Sequence, residues 1–338
     1  MKILKTYQSE ELRQDPYGTN SRLLREIRAK YDLDEVVLPK EYTAKEYADL
    51  IRRYDVLLTM WASAPVPDEL AQNPGNLKYI CNITGSMRGW ISSQIIESPH
   101  LVVTNWGDAP AFGIAEGAFA LLMSMMKNIP LHIRSVQSNN AHAPDDGRQT
   151  TLYNRRVGIY GLGVIGRKFV EFLKPFQPVI YAYDPYISDI PEGVTMVDGL
   201  DALFEISQIV VVHAGLSEET KGSVTKELLA KLPDGAIIIN TARGLIIDWE
   251  ALRQELLSGR LRGGLDMTGP WDLPEVGDPV RQLDNAVFTG HHSGFGDWQR
   301  DPDELDITAR NCLDNLERFS KGEPLKFIMT PERYMRSS

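Results

Sequence analysis

The sequence predicts an α/β protein built from two parallel sheets in tandem, each wrapped by helices. Three observations carry that expectation. Short apolar runs of strand length alternate with segments of helical period over the first hundred residues, and again from Val157 onward. Three glycines, Gly161, Gly163 and Gly166, stand between one such run and a following helical pattern. At 338 residues the chain is also about twice the ~150 of a typical domain, so two domains are expected.

In the first array, "KILKTY" (2–7), "EVVLP" (35–39), "DVLLTM" (55–60), "KYICNIT" (78–84) and "LVVTN" (101–105) read as strands. Segments 21–31, 44–54 and 68–75 between them carry helix or helix-end signals. Residues 114–129, "IAEGAFALLMSMMKNI", form a helix apolar on nearly every side and stopped by Pro130, which predicts burial between domains or against another subunit. Segment 136–156 is polar and loop-like. The second array has strands at 157–161, 179–184, 209–214, 236–240, 263–267 and 286–290, the pattern of an open doubly wound sheet. Residues 303–324 read as one amphipathic helix with a glycine stop.

Composition narrows the function classes. The chain is 43% apolar and 24% charged, which suits a globular protein with a sizeable core. A net charge of −10 argues against nucleic-acid and anionic-membrane partners, although it leaves room for a local basic pocket for a small acid. The two cysteines, Cys81 and Cys312, lie in apolar segments and read as buried free thiols in a reducing compartment. The N-terminal segment turns polar too soon for a secretory signal, and no run approaches ~20 apolar residues. A cytoplasmic protein without a membrane span or a metal is the expectation.

"VGIYGLGVIGRKFVEFL" gives the glycines G-x-G-x-x-G spacing, with Val164 and Ile165 between the second and third. The chemistry requires this order: glycines permit a tight turn and close backbone approach, and the helix N-terminus faces a pyrophosphate. Asp184, 18 residues past Gly166 at the end of the next strand, can accept from ribose hydroxyls and repel a 2′-phosphate. These residues predict NAD and disfavour NADP.

From here the residues resemble a family. "NTARGLIIDWEALRQELLSGRLRGGLDM" (240–267), "HAGLSEETKGSV" (213–224), the glycine motif and the T-x-H of 289–291 resemble the D-isomer-specific 2-hydroxyacid dehydrogenases. The resemblance is strong over 157–267, moderate near 286–294 and weaker in the first hundred residues. It implies a Rossmann-type NAD-binding domain at 108–295 and a smaller flavodoxin-like α/β substrate domain from 1–107 and 296–338, with a cleft between them. It implies too that the long apolar helix forms a homodimer interface.

The resemblance assigns roles residue by residue. Arg243 in "TARG" is similar to the arginine that binds and polarises a 2-oxo acid, a task suited to a planar, permanently charged fork. His291, two residues after Thr289, takes the place of the family's acid–base, whereas His292 takes a place that is usually apolar. Asp266 corresponds to an acid beside the nicotinamide, and Thr241, Ala242 and His213 to cofactor contacts, with a buried structural role open for His213. Thr84, Gly85 and Ser86 match a loop whose amides grip the substrate carboxylate, and an ordinary strand-end turn is the alternative. Arg88 adds positive charge there or is simply solvated.

The sequence departs from the family at one position. A glutamate that pairs with the histidine is expected five residues after Asp266, where this chain has Trp271. Asp272 is the alternative partner and Glu275 a poorer one; otherwise Trp271 lines the substrate pocket. Trp61, Trp90, Trp271 and Trp298 fall in segments bordering the cleft of such enzymes. Trp61 and Met60 replace the basic residue that a phosphorylated substrate would need, which leans toward a non-phosphorylated acid with an apolar tail. Large aromatics in cores are the bland alternative. The function expected is hydride exchange between NAD(H) and a 2-oxo or D-2-hydroxy acid. An NAD(H)-sensing protein of the same fold, and altered hydride chemistry without the His–Glu pair, are the two rivals.

Overall fold

The computed structural model describes residues 1–14, 21–61, 63–85, 87–139, 148–269, 273–294 and 305–336. The chain divides into two compact units, one from Met1–Pro110 with Gly296–Ser338, the other Ala111–Phe295.

The first unit holds strands β1 (Lys2–Tyr7), β2 (Asp32–Val37), β3 (Val56–Thr59), β4 (Tyr79–Asn82) and β5 (Val102–Thr104). Their order is β2-β1-β3-β4-β5, with every pairing parallel, which is the flavodoxin-like arrangement. The period of two divides the apolar residues between the faces. Leu4, Leu57, Ile80 and Val103 enter one core with Tyr47 and Ile51 of the helix Ala44–Ile51. Ile3, Val56, Leu58, Tyr79 and Cys81 enter the other, against Leu23, Ile27, Cys312 and Leu316. The helix Ala44–Ile51 starts at a capping box, Thr43 with Glu46, worth about 1 kcal/mol.

The second unit holds β6 (Arg156–Tyr160), β7 (Val179–Tyr183), β8 (Val194–Met196), β9 (Ile209–Val212), β10 (Ile237–Asn240), β11 (Arg262–Leu265) and β12 (Ala286–Phe288). The order is β12-β11-β10-β9-β6-β7-β8, again wholly parallel. Chain order therefore reverses between β6 and β9, the switch point at which such sheets open a crevice. The helix Ala111–Met126 buries Ala115, Ala118, Leu122 and Met125 with Val157, Ile159, Val211 and Ile239. On the opposite face Val210, Val212, Ile238 and Leu265 pack with residues of the helices Leu200–Ile206 and Trp249–Leu257.

Several elements differ from the sequence expectation. The long helix runs Ala111–Met126 and ends before Pro130, which sits instead in the first turn of a second helix, Ile129–Gln137. Asn128, left-handed at φ 50, breaks the two apart, and proline's fixed φ and missing N–H suit a first turn as well as a stop. Strand β8 was not expected, because "GVTMVD" has no apolar run and forms only a three-residue edge. The C-terminal amphipathic helix is shorter, Ile307–Lys321, capped by the Asp306 carboxylate and ended by Gly322 at φ 70. A further short helix, Pro331–Arg336, follows it. No helix among the described residues is long and apolar enough to cross a membrane.

Candidate active site

Because all strands of the second unit run the same way, the residues following them collect along one edge of the sheet. Gly161 follows β6, Asp184 β7, His213 β9, Thr241 to Arg243 β10, Asp266 β11 and Thr289 to His291 β12. Ser86, Trp271, Asp272 and Trp298 lie outside the described residues.

The glycine turn is built for close approach. Gly161 has φ +92, and a Cβ there would press on the main chain of Ala214 at the end of β9. A Cβ on Gly166 would overlap the Gly161 carbonyl, whereas around Gly163, which caps the helix Val164–Leu173, there is open space. The amides of this helix N-terminus are thus left for an anion. Val164 is exposed, and Ile165 packs into the core. Asp184 accepts from the Leu162 amide at 2.8 Å and the Tyr186 amide at 3.0 Å, which ties its carboxylate to the turn.

Three buried polar atoms along this edge lack partners among the described residues: both ring nitrogens of His213 and Oγ1 of Thr241. Burial pushes the His213 imidazole from 6.5 to about 3, so it stands neutral beside Phe169, ring centroids 5.1 Å apart. Unsatisfied buried groups next to a glycine turn call for a ligand. The glycine cradle, Asp184 and these orphaned atoms therefore fit a dinucleotide.

The second cluster joins Arg243, Asp266 and His291. Asn240, buried at the end of β10, accepts from the Ala242 amide at 3.0 Å and donates from Nδ2 to the Arg243 carbonyl at 3.0 Å. Gly244 allows residues 268 and 269 to pass where a side chain would stand. Arg243 donates from Nη1 to the Ala242 carbonyl at 2.8 Å. Its guanidinium is drawn below the usual arginine range by burial, which Asp266 opposes.

Asp266 is the hub. Its Oδ1 accepts from Thr289 Oγ1 at 2.5 Å and from the Ser293 amide at 3.0 Å, and its carbonyl accepts the His291 amide at 2.6 Å. Those bonds hold Gly290 (φ 63) and His291 (φ 62) in consecutive left-handed conformations. His291 is a non-glycine residue there, at a cost on the order of 1–3 kcal/mol. On its other side the segment rests on the helix Ala111–Met126, where side chains on Gly113 and Gly117 would strike Gly294 and Ser293. Burial lowers the His291 pKa from 6.5; the Asp266 charge raises it, while Arg243 and His292 push it down. Nδ1 of His291 is buried. His292 instead turns Nδ1 to the Thr289 carbonyl at 3.2 Å.

Glu275 is exposed and makes no hydrogen bond to His291. Among the described residues, the carboxylate whose charge acts on the imidazole is Asp266, which the sequence reading had placed only at the cofactor. Asn240, Gly113 and Gly117 were not singled out in the sequence, and Thr289 entered there only as the first residue of the T-x-H motif.

In the first unit, Thr84 and Gly85 follow β4. Asn82 donates from Nδ2 to the Thr84 carbonyl at 2.7 Å and accepts from Thr59 at 2.9 Å and Trp90 Nε1 at 3.0 Å. Asn105 donates to the Gly85 carbonyl at 3.3 Å. The carbonyls are thus held while the Thr84 and Gly85 amides donate to nothing among the described residues. The Trp106 ring fills the place of a Gly85 side chain and meets Trp61 edge-on, centroids 5.8 Å apart. Trp61 is 45% exposed. Trp90 packs against the core, and Trp106, passed over in the sequence, takes the position beside the loop. Arg88 is exposed, and it donates to the carbonyls of Tyr334 at 2.9 Å and Met335 at 2.5 Å.

A glycine turn at the switch point shares its sheet edge with an arginine–aspartate–histidine cluster, which defines a dinucleotide-binding α/β scaffold. Residues 119–293 match the family described as D-isomer specific 2-hydroxyacid dehydrogenase, NAD binding domain, and the chain belongs to that family. Hydroxypyruvate reductase of Thermotoga maritima is 31% identical over 265 residues, 76% of this chain and 84% of that protein. D-3-phosphoglycerate dehydrogenase of Methanocaldococcus jannaschii is 28% identical over 269 residues, 78% of this chain. That alignment covers only 50% of the relative, so the chain spans about half the length of some curated relatives. The fold is shared with the NAD complex of a D-isomer specific 2-hydroxyacid dehydrogenase from Lactobacillus delbrueckii ssp. bulgaricus, at 20% identity and TM-score 0.75, covering 98% of this chain and 100% of that one.

Proposed function

We propose that the protein reduces a 2-oxo acid to a D-2-hydroxy acid with NADH, and catalyses the reverse with NAD. The observation that carries this reading is the cluster of Arg243, Asp266 and His291 on the edge that also bears the glycine turn. NADH would lie with its pyrophosphate at Gly161, Gly163, Val164, Ile165 and Gly166 and its ribose at Asp184. His213, Thr241, Ala242 and Asp266 would flank the rest. When bound, it supplies the hydride. Asp184, already fixed by two amides, supports NAD rather than NADP.

Arg243 draws electron density from the substrate's carbonyl oxygen, and its fixed charge is worth most where water is excluded. His291 delivers the proton to that oxygen from Nε2, since Nδ1 is buried. Asp266 keeps the imidazole in place through the 289–293 turn and supports its charged form. The amides of Thr84 and Gly85 bind the substrate carboxylate. The same loop in its full extent includes Ser86.

The Trp61–Trp106 pair, together with Arg88 being engaged elsewhere, supports a non-phosphorylated acid with an apolar tail. Asp272 as an added partner of His291, and Trp271 as a pocket wall, remain part of this reading. Phe112 at the start of the long helix, and Ile129, Ile133 and Val136 on the next, are exposed, which supports a homodimer through that face. A cytoplasmic setting suits the two free thiols.

The test is NADH oxidation against a panel of 2-oxo acids. Turnover of one or more acids, lost by about 10³-fold in Arg243→Ala, is expected. NADH binding without turnover of any acid would overturn the reading.

A further inference from the structure

The first unit contains a group of reactive side chains that the proposed reaction does not use. Cys81 in β4 and Cys312 in the helix Ile307–Lys321 are separated by 231 residues in sequence, yet their sulfurs lie 3.6 Å apart. Both are free and buried. Tyr79, Thr104 and Lys5 surround them: the Tyr79 and Thr104 hydroxyls share a hydrogen bond of 2.7 Å, and Thr104 directs its hydroxyl at Cys81 Sγ. Lys5, also buried, donates from Nζ to Met60 Sδ at 2.7 Å and lies over the Tyr7 ring at 4.8 Å. No carboxylate pairs with it among the described residues.

From this juxtaposition we infer that Cys81 and Cys312 form a redox-modifiable dithiol, closed to a disulfide by a small uncharged peroxide, which ties β4 to the C-terminal helix. The balance is two thiols and one hydrogen peroxide giving one disulfide and two waters. The Cys81 thiolate attacks a peroxide oxygen, the O–O bond breaks, the sulfur becomes a sulfenic acid, and the other oxygen leaves as hydroxide that takes the first thiol proton to become water. The Cys312 thiolate then displaces the hydroxyl, which leaves as water with the second thiol proton. The hydrogen bond shared with Cys312 holds the Cys81 thiol below its usual range against the opposing effect of burial, which marks it as the first nucleophile. The Cys81 hydrogen bond and burial push the Cys312 thiol well above its usual range, which marks it as the second, resolving sulfur, and burial lowers the nearby Lys5 amine from 10.5 to about 7.

The position of the pair gives closure a consequence. Cys81 precedes Asn82, whose side chain holds the Thr84 carbonyl. Cys312 follows Asn311, which donates from Nδ2 to the Trp106 carbonyl at 2.9 Å, and the Trp106 ring backs Gly85. Drawing the sulfurs from 3.6 Å to the ~2.0 Å of a disulfide shifts strand and helix together on both sides of the 84–85 loop. The effect on substrate rests on the carboxylate-binding reading of that loop; formation of the bond does not.

The experiment treats the full chain with hydrogen peroxide, then denatures, alkylates and weighs it. Expected are loss of both thiols, a mass lower by about 2 Da, a linked peptide pair containing Cys81 and Cys312, and full return with dithiothreitol. Cys81→Ala and Cys312→Ala each abolish the link, and the linked protein melts roughly 5 °C or more higher. Thiols that still alkylate, oxidation to sulfinic acid without a link, or a link between two chains would each overturn the inference. Oxidised enzyme should show a several-fold higher KM for the acid with kcat nearly unchanged. An unchanged KM in fully linked protein would refute the coupling to the loop. If no acid is turned over at all, the dehydrogenase reading fails while the mass result still decides the thiol pair.

Discussion

The loop after β4 and the loop after β10 are built on one plan and equipped differently. Each strand ends in a buried asparagine whose side-chain amide holds a carbonyl two or three residues on, Asn82 to Thr84 at 2.7 Å and Asn240 to Arg243 at 3.0 Å. Around Thr84 and Gly85 there are tryptophan rings and amides with no partner among the described residues, while Arg88 donates to the C-terminal helix. Around Arg243 there is a guanidinium, a carboxylate and two imidazoles. On the proposed function, one loop binds an anion through the main chain, and the other stabilises charge and moves a proton. That reading separates recognition from chemistry, and substitutions should separate them as well.

The largest effect is expected at Asp266. Asp266→Ala removes the acceptor of Thr289 and Ser293 and frees the turn that carries His291, so kcat should fall by about 10²-fold or more, measured by steady-state NADH oxidation. Asp266→Asn retains an acceptor but not the charge. Since that charge raises the His291 pKa, its loss should move the pH midpoint for reduction further below 6.5. A midpoint that stays in place would separate Asp266 from the imidazole.

The paired asparagines break the comparison most cleanly. Asn82→Ala should raise KM for the acid about tenfold with kcat held, the effect of losing hydrogen bonds worth ~1–3 kcal/mol. Asn240→Ala should lower kcat with little change in KM, because it loosens Arg243. The same kinetic signature in both variants would mean that the two loops do not divide the work.

A smaller, purely structural effect belongs to His213. Its folded-state pKa of about 3 lies below the ordinary 6.5, so an unfolded chain takes up a proton that the folded one refuses. The stability it contributes is complete above pH 6.5 and is lost as pH falls from there toward 3. Melting temperature without cofactor should therefore fall from pH 7 to pH 4 more steeply in the parent than in His213→Gln. Parallel curves would contradict a buried neutral imidazole.

The two loops also differed in how far the sequence revealed them. The second unit is legible because its chemistry leaves marks at fixed spacing: three glycines, an acid after the next strand, an arginine after β10 and a T-x-H after β12. The amides of Thr84 and Gly85 leave no such mark, since any residue carries one, and only the family resemblance points to them. Asn82 and Asn240 read as ordinary strand-end polars until their bonds are seen. Asp266 was legible as a site residue but not as the organiser of the 289–293 turn, because that role depends on β11 and β12 pairing. Strand orders were readable only as a class, β8 was too short to register, and Pro130 marks either end of a helix equally well. The pairing of Cys81 with Cys312 is a tertiary contact with no local signature at all.

The central claim is that His291, held by Asp266 beside Arg243, is the proton donor. The measurement that tests it most directly is the pH dependence of kcat/KM for reduction of the best 2-oxo acid in the parent, His291→Ala and His292→Ala. A donor imidazole lowered by burial predicts activity that falls as pH rises through a midpoint below 6.5, retained in His292→Ala and abolished in His291→Ala. A profile that survives His291→Ala and disappears with His292→Ala would contradict the account.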